Sequence, residues 1–255
     1  MDTKKETMIS VKDLCKTFSN ESVQQHVLKN LNLSIYKGDF TVIMGNSGSG
    51  KSTLLYALSG MDRPTLGSVT FHGEEISHYS NDKLSIFRRN HCGFVFQQNY
   101  LNDTMSALDN CLVSGLLVQK DRKKLAQRAK DLLQKVEISE SDWKKFPPQL
   151  SGGQRQRVAV VRGVINSPEI LFADEPTGAL NSQNSKNVLD ILTDLNAEGQ
   201  SIVMVTHSVH AAERGNRVLY LADGVIADEI NLGTYKGEDE TRHGKLKAFL
   251  QEMGW

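Results

Sequence analysis

The chain has 255 residues and is 39% hydrophobic, enough for one large domain or a core with a subdomain. Lys plus Arg and Asp plus Glu both number 30. There is thus no basic excess of the kind nucleic-acid binders carry, and nucleic acid is not an expected partner. No stretch of about 18 apolar residues occurs, so no transmembrane helix is expected.

In chain order, residues 1–8 are polar and charged and do not read as a signal peptide. Residues 8–18 alternate apolar and polar through Ile9, Val11 and Leu14, which predicts a strand, and residues 27–36 repeat the pattern. Lys37-Gly38-Asp39 is a turn. An apolar run over residues 40–44 leads into Gly45, Asn46, Ser47, Gly48, Ser49, Gly50, Lys51 and Ser52, a full match to G-x-x-x-x-G-K-[ST]. A helical pattern over residues 53–58 leads out, giving the strand–loop–helix context the motif requires. The chemistry is anion capture. Glycines let successive backbone N–H groups turn inward, and the helix N-terminus adds partial positive charge. Lys51 supplies a point charge for phosphate oxygens and Ser52 a hydroxyl for Mg²⁺.

Residues 68–71 read as a short strand before the turn His72-Gly73-Glu74, and residues 93–96 as another apolar strand, ending at Gln97. From about residue 101 to 164 the pattern is helical. Leu125, Ala129, Leu132, Leu133 and Val136 fall at helix spacing, and Pro147-Pro148 breaks the run. Leu150-Ser151-Gly152-Gly153-Gln154 is a second glycine-rich loop opening a helix. The apolar runs over residues 170–173 and 202–205 have the character of parallel strands buried on both faces, with a helix over 184–198 between them. The first run ends in Asp174 and Glu175, and the second leads to His207. The cysteines, Cys15, Cys92 and Cys111, are scattered without metal-ligand spacing and read as reduced cytosolic side chains. The order predicts an α/β fold with a parallel-sheet core, an N-terminal β-rich region and a helical arm.

Taken together, the phosphate loop, Gln97, the pentapeptide at 150–154, Asp174-Glu175 and His207 resemble the ATP-binding subunit of ABC transporters over about residues 8–231. The pentapeptide is the most specific part. The resemblance implies a phosphate-loop NTPase core with a parallel sheet, an antiparallel β subdomain and a helical signature subdomain. As a single nucleotide-binding domain over 1–255, it would divide into a core (1–97 and 167–231), a helical subdomain (98–166) and a C-terminal extension (232–255).

The resemblance also implies roles. ATP would be held by Phe18 and by the loop from Gly45 through Thr53, Phe18 stacking on adenine where Tyr is more usual. The competing reading of Phe18 is a core-facing strand residue. Mg²⁺ would be held by Ser52, Gln97 and Asp174. Glu175 would align the attacking water, His207 would contact the γ-phosphate, and Lys51 would stabilise its charge. Gln97 would sense metal and water while touching a membrane permease. Ser151, Gly152, Gly153 and Gln154 would bind ATP held by a second copy in a head-to-tail dimer. At an ordinary pKa of about 4.3 a Glu is a weak base, so alignment is the larger expected contribution.

The stretch from Asp174 to Leu180 looks like the macrolide-efflux and lipoprotein-release branch, closest to bacitracin- and lantibiotic-type antimicrobial-peptide resistance ATPases. A cell-division-type or other soluble ATPase of the same fold is the alternative. The expected location is cytoplasmic, on the inner face of the membrane through the permease. Asn181 departs from the family pattern, where Asp is usual, which bears on coupling between the two ATP sites. Tyr100, Leu101, Met105, Leu108, Leu112, Val113, Leu116 and Leu117 read either as arm core or as a groove for a permease helix. Leu246, Phe249, Leu250 and Met253 mark one face of a terminal helix, which reads either as docking on the chain's own core or as a dimer contact.

Overall fold

A computed structural model describes residues 5–20, 23–237 and 239–255. Residues 1–4, half of the segment read as lacking a signal peptide, lie outside the described residues. In chain order the elements are β1 (Thr7–Asn20), β2 (Val23–Tyr36), β3 (Phe40–Met44), α1 (Lys51–Leu58), β4 (Leu66–Phe71), β5 (Glu74–Glu75), α2 (Asn81–His91), β6 (Cys92–Phe96), α3 (Ala107–Gly115) and α4 (Arg122–Lys135). They continue with α5 (Gly152–Val164), β7 (Ile170–Asp174), α6 (Ser182–Ala197), β8 (Ser201–Val205), α7 (Val209–Ala212), β9 (Arg217–Ala222), β10 (Val225–Asn231) and α8 (Glu240–Glu252).

Contacts divide the chain into two compact units, Met1–Ser85 with Gly199–Trp255, and Ile86–Glu198. In the first, β3 runs parallel to both β8 and β9, and β10 closes on β9 antiparallel. Every residue of β3 and β8 is buried, including Thr41 and Ser201, as their predominantly apolar sequence requires. A second, antiparallel sheet has the order β2-β1-β4-β5. Its β1 buries Met8, Ile9, Val11 and Leu14, and the period of two is interrupted by register shifts where Asp13 and Asn30 take positive φ. The β9–β10 hairpin turns at Asp223-Gly224, both with positive φ, the Asp-Gly chemistry of a tight hairpin. Leu246, Phe249 and Leu250 of α8 are buried, so the terminal helix docks its apolar face within the chain. The Arg242 guanidinium fastens it by donating to the carbonyls of Glu213, Gly215, Leu232 and Gly233.

In the second unit β6 and β7 pair in parallel. Around them α3, α4 and α5 bury a common core that includes Ala107, Cys111, Leu125, Ala129, Leu133, Val158 and Val161. The stripe Leu125, Ala129, Leu133 on α4 is the predicted helical face. Pro147-Pro148 interrupts the helices with a single 3₁₀ turn, Pro147–Gln149. Burial raises the thiol pKa of Cys92 and pushes that of Cys111 up to about 12.

Candidate nucleotide-binding site

β3 delivers the chain to the phosphate loop, and α1 begins at Lys51. The loop fits only because its first residue lacks a side chain. A Cβ on Gly45, at φ +147°, would lie 2.0 Å from the Leu221 carbonyl oxygen of β9. Asn46, Ser47 and Gly48 are exposed at the tip. Ser49 folds inward, and its N–H donates to the Asn46 carbonyl at 3.2 Å. Lys51 lies back over the loop, its Nζ donating to the carbonyls of Gly45 and Asn46, both at 2.8 Å. At 9% exposure it is more enclosed than a lysine on a solvent-facing turn. Because Lys51 opens the helix, its stem curls back toward the loop it follows. Ser52 and Thr53 are half-buried on the first turn of α1.

Phe18 is 46% exposed on β1, with Lys16 Nζ 4.9 Å from its ring centroid, which removes the core-facing reading of this residue. His207 follows β8 and is exposed. Beside it Thr206 is buried and accepts from the Ser208 N–H at 3.0 Å, while Ser208 caps the short α7.

In the second unit Asp174 ends β7, buried to 9% exposure, and Glu175 follows at φ +50°. A left-handed Glu costs on the order of 1 kcal/mol, and strain of this kind concentrates at functional sites. It turns the chain into a tight loop, closed by the Gly178 N–H on the Glu175 carbonyl at 3.0 Å and the Leu180 N–H on the Thr177 carbonyl at 3.1 Å. The sequence placed both carboxylates at the end of a strand. In the structure only Asp174 is in the strand, and Glu175 is set by the turn. Asn181 closes this loop by capping α6, its Oδ1 accepting from the Asn184 N–H at 3.0 Å.

The second glycine loop is the N-terminus of α5. Ser151 Oγ accepts from the Gln154 N–H at 3.2 Å and Gln154 Oε1 accepts from the Ser151 N–H at 2.9 Å, a reciprocal capping box. Gln154 Nε2 also donates to Asp142 Oδ2 at 2.9 Å, and Lys145 Nζ holds the other carboxylate oxygen at 2.6 Å. The bonds from Lys145 and Ser139 hold the Asp142 carboxyl below its ordinary pKa. Gly152 is half-buried. A Cβ on Gly153 would lie 2.2 Å from Asn184 Oδ1, so the loop packs where a side chain cannot fit. Gln97, just past β6, is exposed, and a Cβ on Gly178 would come within 2.9 Å of its Nε2.

Asp142, which supports the second glycine loop, was not singled out from sequence, nor were Gln156 and Arg162, whose side chains donate to the carbonyls of Phe96, Asn99 and Tyr100 around Gln97. The Ser151-x-x-Gln154 spacing was readable as a capping box. The partners of Asp142, Gln156 and Arg162 depend on the fold.

By donor chemistry, a hydroxyl such as Ser52 in the first unit and a carboxylate such as Asp174 in the second are each hard oxygen donors of the kind Mg²⁺ takes. Among the described residues no group of three or more His, Cys, Asp or Glu side chains gathers as a metal cage.

Fold and loop define a phosphate-loop nucleotide-binding protein. A sequence profile described as ABC transporter matches residues 28–178. The lipoprotein-releasing system ATP-binding protein LolD of Aquifex aeolicus is 45% identical over 204 residues, covering 80% of this chain and 91% of that protein. The macrolide export ATP-binding/permease protein MacB of Aggregatibacter actinomycetemcomitans is 41% identical over 222 residues, covering 87% of this chain but 34% of that protein. The chain thus spans about a third of its MacB relative. A solved ATP-binding cassette, a dimer in a post-hydrolysis state bound to ADP and Pi, superposes with a TM-score of 0.83 at 37% identity, covering 89% of this chain and all of that one. The chain belongs to the ABC transporter family, as an ATP-binding domain close to those of MacB and LolD.

Proposed function

We propose that the chain binds and hydrolyses Mg·ATP at the interface of a head-to-tail dimer and drives a membrane permease. The observation that carries this reading is the presence of two glycine-bearing helix N-termini. One is led by Lys51 at α1, the other is capped by Ser151 at α5. In this reading each ATP lies between the phosphate loop of one copy and the signature loop, Ser151 to Gln154, of the other. The loop from Gly45 to Thr53 and Phe18 hold the nucleotide. Ser52, Asp174 and Gln97 would hold Mg²⁺, which would supply positive charge to neutralise the phosphate oxygens. Glu175 orients water, and Lys51 and His207 stabilise the transferring phosphoryl group. The core over 1–97 and 167–231, the helical arm over 98–166 and the extension over 232–255 are the working parts.

The permease contact is assigned to the arm. Its apolar segment divides in two. Leu101 is buried and Leu108 and Leu112 pack on the arm core, whereas Tyr100, Val113, Leu116 and Leu117 are exposed, Leu117 to 61%. The exposed set suits an apolar permease helix. Charged substitutions belong at Leu117 or Val113, since at Leu101 they would strike the core.

For the whole protein we infer a role in antimicrobial-peptide resistance or export at the inner face of the cell membrane, supported by the branch-like sequence from Asp174 to Leu180. No helix among the described residues is long and apolar enough to cross a membrane. The test is deletion of the chain in its host, complemented by wild type or Leu117→Glu, with susceptibility to bacitracin and lantibiotics as readout. Sensitisation rescued by wild type and not by Leu117→Glu is expected. Unchanged susceptibility with a division defect would move the assignment to the cell-division type.

A further inference from the structure

The helix that begins at Ser151 also grips the segment carrying Gln97, on both sides of it. Gln156 Nε2 donates to the carbonyl of Phe96, the residue just before Gln97, at 2.8 Å, and Gln156 is 2% exposed. Further along α5, the Arg162 guanidinium forks onto two successive carbonyls beyond it, Asn99 at 2.7 Å and Tyr100 at 2.5 Å. Burial lowers the pKa of this guanidinium from its ordinary value, a sign that its desolvation carries a cost. Main-chain carbonyls in an irregular segment, with Tyr100 at φ +48°, are what it holds in return. Between the two grips Gln97 and Gln98 are exposed, and Gln97 rests by the loop containing Gly178. The carbonyls flanking Gln97 are therefore tied to one continuous helix whose first turn is locked by the Ser151–Gln154 capping box.

We propose that Gln156 and Arg162 are positioning residues that fix Gln97 to the signature helix, so that a shift of α5 at its Ser151 end moves the Gln97 backbone with it. This rests on the dimer reading above. There, Ser151 faces the nucleotide held by the other copy while Gln97 serves the nucleotide of its own copy. The two grips then link one ATP site to the other within a single chain, through a contiguous set of packed and hydrogen-bonded groups. Neither residue touches nucleotide; both act through Gln97.

The test is a double-mutant cycle on the purified full chain, with Mg·ATP hydrolysis, nucleotide affinity and thermal melting measured for each variant. Arg162→Lys keeps the charge but replaces the planar fork with an ammonium that cannot hold both carbonyls in the same geometry. It is expected to lower kcat by about tenfold while leaving the ATP Kd within about twofold of wild type. In a Gln97→Ala background the same substitution should cost less than about twofold more, because the group it positions is gone. A merely structural role would show as the full loss in both backgrounds, and that outcome overturns the proposal. So does a wild-type kcat for Arg162→Lys. If Arg162→Lys does not fold, Gln156→Glu, which sets an acceptor against the Phe96 carbonyl, carries the same cycle. Failure of both variants to fold makes the contacts structural and also overturns the link. A wild-type chain that does not hydrolyse Mg·ATP overturns the dimer reading, and the link with it. An active wild type with independent effects overturns the link alone.

Discussion

Lys51 sits with its ammonium on two carbonyls of its own loop, a position that keeps a buried cation satisfied and leaves it next to the backbone N–H groups an anion would meet. Lys51→Ala removes that charge and leaves a good helix former at the first position of α1. The expected outcome is an ATP Kd raised by about 10–100-fold, the loss of one charge-assisted hydrogen bond, together with abolished turnover and an unchanged circular dichroism spectrum. Hydrolysis near the wild-type rate would remove Lys51 from the site. At this scale the types of the phosphate-loop residues were legible in the sequence, because the glycine spacing reflects backbone constraints that recur wherever phosphate is cradled. The enclosure of Lys51 was not, since it depends on how the stem folds back. For Phe18 the strand was legible, and its outward face was implied by the resemblance rather than by alternation, because β1 carries register shifts that break strict alternation.

At the scale of elements, α5 and α6 are both held by their first turns. The α5 cap extends through Gln154 to Asp142 and Lys145. The folded-state pKa of Asp142 lies below its unfolded value, so the folded chain binds fewer protons there. Its stabilising contribution is present above the unfolded carboxyl pKa, about 3.9, and is lost as pH falls through the folded value. Asp142→Asn should therefore melt a few degrees below wild type at neutral pH, and the gap should close in the acid range, in melting curves taken across pH. A gap independent of pH would contradict it. Asn181 caps α6, and Asp caps as well as Asn, so Asn181→Asp should leave melting within about 0.5 kcal/mol of wild type. Its expected effect is a higher Hill coefficient for ATP in the permease-bound complex, with nucleotide affinity unchanged. An unchanged coefficient would mean that Asn181 makes the joint by hydrogen bonding.

At the scale of the whole molecule, the strands at residues 40–44, 170–173 and 202–205 were legible because a strand buried on both faces is written as a mostly apolar run. The β9–β10 hairpin carries the same signal in residues 218–222 and an Asp-Gly turn, although it lies past the last motif. The helix α2 was hidden for a physical reason. It buries only Leu84 and Phe87, too thin a stripe for periodicity to register. In the proposed dimer the phosphate loop of one copy would pair with the signature loop of the other, each copy holding half of every site. The isolated chain is therefore expected to hydrolyse ATP weakly, with a rate rising more steeply than linearly in protein concentration. Tethering on a permease raises the effective concentration to the order of millimolar and should lift the rate. A high rate strictly linear in protein would favour a self-sufficient ATPase.

The most direct measurement is the mass in solution of Glu175→Gln with and without Mg·ATP, by size exclusion with light scattering. The substitution keeps the shape of the side chain and removes the charge that, in the proposed mechanism, aligns water and opposes the γ-phosphate. The account predicts a monomer without nucleotide and a stable dimer retaining two ATP with it, turning over at less than about a tenth of the wild-type rate, a barrier increase above roughly 1.4 kcal/mol. A variant that binds ATP and stays monomeric, or that turns over near the wild-type rate, would contradict it.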